Sequence, residues 1–78
     1  MTEANRVFIE DNRSHYDTYM RAGFIKNLSG EIRNGMLNVI REEYNPGYLC
    51  CMHCPADIIS MICYLYTQYD QQRTLSGQ

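Results

Sequence analysis

Apolar side chains recur at helical spacing in the second half of the chain. Between residues 30 and 44 they fall three and four positions apart, forming a stripe of Ile32, Met36, Val39 and Ile40. This period indicates an amphipathic helix. Ser29 is suited to cap its start, and Pro46 ends it because proline cannot continue the backbone hydrogen bonds. We predict a helix over about 30–44, although Gly35 in its middle costs about 1 kcal/mol relative to alanine.

A second helix, predicted over about 55–72, is apolar on an unusually wide face. Pro55 suits the first helical position, where no backbone N–H is needed. At about 100° per residue, the apolar side chains cover roughly 200° of the circumference, more than a surface helix requires. These side chains are Ile58, Ile59, Met61, Ile62, Cys63, Leu65, Tyr66 and Tyr69. We therefore expect another polypeptide to cover part of this helix.

The first third of the chain carries weaker patterns. Helical spacing predicts a helix over about 12–22, which Gly23 can end in a left-handed conformation. The apolar cluster Val7-Phe8-Ile9 has no well-alternating neighbour with which to pair as a strand, so we predict an extended arm over 1–11. The polar tail, 74–78, is expected to fray. Residues 1–78 thus predict a single all-α domain of three helices with an extended N-terminal arm.

Composition narrows the class of function. The net charge is −2 and the seven cations are scattered, whereas nucleic-acid binding needs a clustered basic surface. No apolar run approaches the roughly 20 residues that span a membrane. The N-terminus lacks the basic and apolar regions of a secretory signal, so we expect an unsecreted protein with reduced cysteines. Without a phosphate-binding glycine loop, nucleophile elbow or histidine-pair motif, we expect no enzyme.

Tyrosine is the overrepresented aromatic residue, with seven tyrosines and no tryptophan. Its ring is apolar and its hydroxyl tolerates water, which favours surfaces that become half-buried on assembly. The alternative is that a small core leaves its aromatic edges uncovered. We predict docking onto a larger protein assembly, as a homo- or hetero-oligomer. The predicted contact residues are Tyr64, Tyr66 and Tyr69 with Val7, Phe8 and Ile9 of the arm.

The cysteine cluster suggests a second function, that of a small zinc-binding regulator or adaptor. Cys51-x-x-Cys54 has the spacing of half a tetrahedral zinc site. Cys63 follows Cys54 by nine residues, about 13 Å along a continuous helix, too far to share one ion. A closed site would need His15 plus an adjacent ligand such as His53, or a second chain giving its own cysteine pair. Apart from zinc at this site, no cofactor is expected.

Two other interpretations of the cysteines stay open. A Cys-x-x-Cys before a helix is also typical of thiol-disulfide oxidoreductases, but the chain shows no βαβ unit to carry it. Alternatively, all four cysteines pack as small apolar residues. In that case His15 is an interface or capping histidine, and His53 is a turn residue. We favour packing, because free cysteine is among the most buried residue types.

The segment from Tyr44 to Asp57 carries Pro46-Gly47-Tyr48 and Cys51-x-x-Cys54-Pro55 and is followed by the tyrosine-rich helix. Over residues 15–70 the chain resembles small open reading frames of tailed phages and mobile elements of Bacteroidetes, including the crAss-like phages. The resemblance implies a non-enzymatic phage accessory or structural protein in the host cytoplasm or the virion. Capsid or other virion proteins would be its partners, and it brings no catalytic residues.

Overall fold

Helices make up the fold. The computed structural model describes residues 1–25, 28–51 and 53–76, with side chains described as far as Gln72. Within these residues the chain forms α1 (Glu3–Asp11), α2 (Arg13–Ala22), α3 (Gly30–Glu43) and α4 (Pro55–Ser76). No strand occurs in the described part of the chain. The predicted all-α class is confirmed.

The helix boundaries follow local signals in the sequence. The Ser29 hydroxyl accepts the Ile32 N–H at 3.2 Å and begins α3. Gly23 ends α2 in a left-handed conformation, with φ of 80°, and donates its N–H to the Tyr19 carbonyl at 2.8 Å. The helix predicted to end near residue 72 continues to Ser76. The predicted fraying tail therefore lies partly in α4, and residues 77–78 fall outside the described residues.

The prediction of an extended N-terminal arm is wrong, because residues Glu3–Asp11 form α1. The Thr2 hydroxyl caps this helix by accepting the Asn5 N–H at 3.1 Å. A helix pairs its own backbone groups, so the apolar cluster needs no strand beside it. Ile9 is fully buried in the core, whereas Val7 is 43% exposed. The segment predicted as an arm is thus a helix that packs into the core.

One apolar core joins the four helices. α3 and α4 supply most of it, and Ile9 reaches it from α1. The Tyr66 hydroxyl donates to the Ile9 carbonyl at 2.7 Å near the α1–α2 junction. Its ring stacks on Tyr16 of α2 with centroids 5.0 Å apart. Burial raises the pKa of Tyr66, which keeps the hydroxyl a neutral donor.

The inner part of the wide apolar face of α4 is covered by the protein's own helices, whereas Ile58, Ile59 and Cys63 stay partly exposed. α2 and α3 both contact α4. The innermost side chains of α4 have exposed fractions of 0–3% and are Met61, Ile62, Leu65, Tyr66 and Tyr69. These innermost side chains need no cover from another polypeptide, and the expectation that a partner covers the rest of the face stays a prediction.

A stability prediction arises at Gly35, whose place in a helix interior has a packing reason. A Cβ at Gly35 would lie 2.6 Å from Cζ of Phe8, which packs across this point of α3. We expect Gly35→Ala to lose up to about 2 kcal/mol of unfolding free energy, because an overpacking cost of about 1–3 kcal/mol outweighs the helix-propensity gain of about 1 kcal/mol. Urea denaturation followed by circular dichroism measures this loss.

Gly30→Ala is the matched control, since Gly30 is the first residue of the same helix. Its Cβ would meet only Arg33 Nη2, at 3.7 Å. We expect this variant to match the wild type or to gain up to about 1 kcal/mol from reduced freedom of the unfolded chain. A Gly35→Ala variant as stable as Gly30→Ala would contradict the close packing of Phe8.

Candidate metal site

The loop between α3 and α4 is anchored before the cysteine cluster begins. The Arg41 guanidinium donates through Nε to the Tyr48 carbonyl at 3.0 Å. The Tyr48 ring stacks on Tyr64 of α4, with centroids 4.9 Å apart. Two contacts from different helices thus fix Tyr48 beside α4. The cysteines that follow Tyr48 therefore lie near the N-terminal end of α4.

The two cysteines of the Cys-x-x-Cys motif meet at this end of α4. Cys54 donates its backbone N–H to the Cys51 carbonyl at 3.2 Å, closing a turn. The Sγ atoms of Cys51 and Cys54 lie 3.0 Å apart, and both side chains are exposed. Asp57, one turn into α4, accepts the Cys51 N–H through Oδ2 at 3.3 Å. The sulfur atoms and this carboxylate lie within 4.8 Å of one another.

The local hydrogen bonds shift the pKa values of the two thiols in opposite directions. The pKa of Cys51 is lowered because the Cys54 S–H and the His53 backbone N–H donate to its sulfur. The same hydrogen bond raises the pKa of Cys54, whose proton it holds, and the neighbouring Cys51 thiolate adds to the rise. Cys51 is therefore the first thiol to ionise. A thiolate is the form that binds metal ions and attacks disulfides.

This donor set fits a zinc ion. Zinc binds thiolate sulfur at about 2.3 Å in a tetrahedron, which places two sulfur ligands about 3.8 Å apart. The pair at 3.0 Å would have to separate by about 0.8 Å, a change within the rotamer freedom of exposed side chains. Two thiolates and one carboxylate occupy at most three of four positions. The cluster is therefore part of a site, with its open side toward solvent.

The structure brings together one half of the predicted ligand set. Cys51 and Cys54 meet, but neither His15 nor His53 belongs to the ligand group found among the described residues. The predicted ligand role of the two histidines is thus not supported. His15 lies within α2 and His53 is exposed in the turn itself. Asp57 is not among the predicted ligands, although its position three residues after Cys54 is the helical spacing that brings it near.

The two remaining cysteines do not belong to this pair. Cys50 is half-buried and donates its S–H to the Asp57 carbonyl at 3.5 Å, which directs it toward the helix backbone. Cys63 is half-buried within α4, and burial raises its pKa. The packing interpretation therefore suits Cys50 and Cys63. It is wrong for Cys51 and Cys54, whose thiols are exposed.

The predicted contact surface is largely interior. Ile9 and Tyr66 are fully buried, and Tyr69 is 3% exposed with its hydroxyl donating to Glu10. These three residues belong to the core, so their prediction as docking residues is wrong. Tyr64 is half-buried against Tyr48, and Phe8 packs against Gly35. Val7 alone of the predicted set is well exposed.

No family model, curated protein or solved structure matches this chain. The resemblance to Bacteroidetes phage proteins accordingly stays a prediction. Among the described residues, none of the helices combines the length and apolar character needed to cross a membrane.

Proposed function

We propose that the protein is a non-enzymatic, zinc-binding helical module of the adaptor or regulatory kind. One observation carries the proposal: two exposed thiols converge to 3.0 Å at the start of α4, with a carboxylate beside them. Exposed thiols gain nothing from packing, which is the ordinary role of cysteine in a small core. Coordination of a metal ion accounts for their exposure, their convergence and the nearby negative charge.

The arrangement also supplies what a metal ligand needs chemically. Cys51 has a lowered pKa, which favours the thiolate, the form that binds metal ions. The Asp57 carboxylate holds the Cys51 backbone, as partners beyond the metal commonly fix its ligands. A bound ion would tie the thiols of Cys51 and Cys54 together at the start of α4. The end of α4 would then present a defined surface to a protein partner.

Cobalt(II) titration of the reduced protein tests this function. We expect the intense near-ultraviolet band of thiolate-to-cobalt charge transfer, because cobalt takes tetrahedral sulfur sites as zinc does. Zinc should abolish the band by displacement. Cys51→Ser and Cys54→Ser should each weaken cobalt binding at least tenfold, while both variants keep wild-type helicity because these side chains are exposed.

Cys50→Ser and Cys63→Ser are the matched controls, since they change the same atom at half-buried positions outside the pair. Both should retain the cobalt band. The proposal would be overturned if the wild-type protein showed no charge-transfer band. It would also be overturned if all four variants retained the band equally. Selective alkylation of Cys51 together with reversible Cys51–Cys54 disulfide formation, in a chain that binds no metal, would instead favour thiol exchange.

A second candidate function is docking onto a larger protein assembly. It is favoured by the exposure of Leu49, 83%, and of Phe24, 52%. An open, mainly apolar groove of about 350 Å³ lies between Phe24, Leu28 and the start of α4 at Pro55, Ile58 and Ile59. In the setting that the phage resemblance implies, the assembly would be a virion or another phage structure. Metal-independent association that Leu49→Ser abolishes, measured by sedimentation in chelator, would favour this candidate over zinc binding.

A further inference from the structure

The cysteine pair offers two of the four ligands that a closed structural zinc site requires. Cys51, Cys54 and Asp57 are the members of the ligand group found in the described part of the chain, and all three are exposed. Structural zinc sites are closed by four protein ligands. Asp57 already has a role within the chain, because its Oδ2 accepts the Cys51 N–H at 3.3 Å. A closed zinc site on this cysteine pair would therefore need two further ligands, which the ligand group of the described residues does not supply.

The position of the pair allows another protein to supply them. Cys54 directly precedes Pro55, the first residue of α4, so the sulfur atoms lie at the end of a helix rather than in a cleft. Leu49 lies two residues before Cys51 and is the most exposed large apolar side chain of the described residues, at 83%. Contact around a shared ion would remove this side chain from water, which stabilises the contact.

A second copy of the chain matches the missing half. Each copy presents two thiols at one spacing, and two such pairs related by a twofold axis complete a tetrahedron of four sulfur ligands. A twofold contact of this kind uses the same surface on both subunits and closes after two copies. Resting on the proposed zinc function, we propose that two copies of this chain share one zinc ion, each giving Cys51 and Cys54. Asp57 then orients Cys51 without binding the metal.

The composition of the zinc complex tests this inference. Reduced, metal-free full-length protein is titrated with zinc sulfate and followed by native mass spectrometry and by light scattering after size exclusion. We expect one zinc ion per two chains and a doubling of the 9.2 kDa mass that reverses with chelator. Leu49→Ser should weaken zinc-dependent dimerisation at least threefold while leaving the monomer helical.

Asp57→Asn separates the shared site from a site within one chain. In the shared site this variant should still dimerise with zinc, because the four ligands are sulfur atoms. One zinc ion per monomeric chain, lost in Asp57→Asn, would overturn the shared site and leave the proposed function standing. A dimer that persists in chelator would overturn the shared site as well. A chain that binds no zinc at any ratio would overturn both.

Discussion

The double substitution Tyr66→Ala and Tyr69→Ala is expected to unfold the protein. Both rings are interior, with exposed fractions of 0% and 3%. Removing a buried aromatic ring costs about 3–5 kcal/mol for each site. A chain of 78 residues has a total unfolding free energy of about 4–12 kcal/mol. The Ile9 carbonyl also loses the Tyr66 hydroxyl bond. We expect the far-ultraviolet circular dichroism of helices to be lost at 25 °C.

Exposed apolar side chains provide the controls for this loss. Met20, 63% exposed, and Leu49, 83% exposed, lie outside the core. Their replacement by alanine should change the unfolding free energy by less than about 0.5 kcal/mol, as is usual for surface positions. A double tyrosine variant that keeps its helicity and loses only self-association would show that the rings form a contact surface, and the core described for α4 would be wrong.

The substitution Ile9→Ala is expected to lose about 2–5 kcal/mol of unfolding free energy, because it leaves a cavity in a packed core. Ile9 is fully buried between helices, and its carbonyl accepts the Tyr66 hydroxyl. The size of the loss distinguishes a packed helix from an extended arm. Guanidinium denaturation monitored by circular dichroism gives the free energy directly.

Val7→Ala is the control, two residues away in the same helix. Val7 is 43% exposed, so less apolar surface is lost and no closed cavity forms. We expect a change of less than about 1 kcal/mol. Equal, small losses for both variants would mean that the N-terminal segment does not contribute to the core.

Much of the fold was predictable because its signals are local. Ser29, Gly23 and Pro55 mark helix ends through their own backbone chemistry, and these marks are independent of distant contacts. α1 was not predicted although Thr2 precedes it as a capping residue, because Val7, Phe8 and Ile9 are three adjacent apolar residues that suggest a strand. Consecutive apolar residues do not distinguish a short helix from a strand.

The core around α4 includes one residue of that missing helix. The face of α4 is broadly apolar, as predicted, and its inner side chains pack against α2 and α3, with Ile9 of α1 in the same core. Ile9 reaches the core beside Tyr66, and no pattern within residues 55–72 indicates this contact. Contacts between residues 57 positions apart follow from packing, which a single sequence does not express.

In the candidate site, too, the local residues were predictable from the sequence and the distant ones were not. Cys51 and Cys54 were predicted from spacing alone, because a turn brings such residues together locally. Asp57 could also have been found, since it lies one helical turn beyond Cys54. His15 was proposed because it was the distant histidine of the chain, but a ligand from α2 requires a tertiary arrangement that helix spacing does not predict.

X-ray absorption at the zinc edge, on reduced protein loaded with zinc sulfate, tests the central claim most directly. The account predicts a sulfur shell at about 2.3 Å, the length of a zinc–thiolate bond. Four sulfur scatterers per ion indicate the shared site, and two indicate a site within one chain. A zinc spectrum with only nitrogen or oxygen neighbours at about 2.0–2.1 Å would contradict a thiolate site at the start of α4.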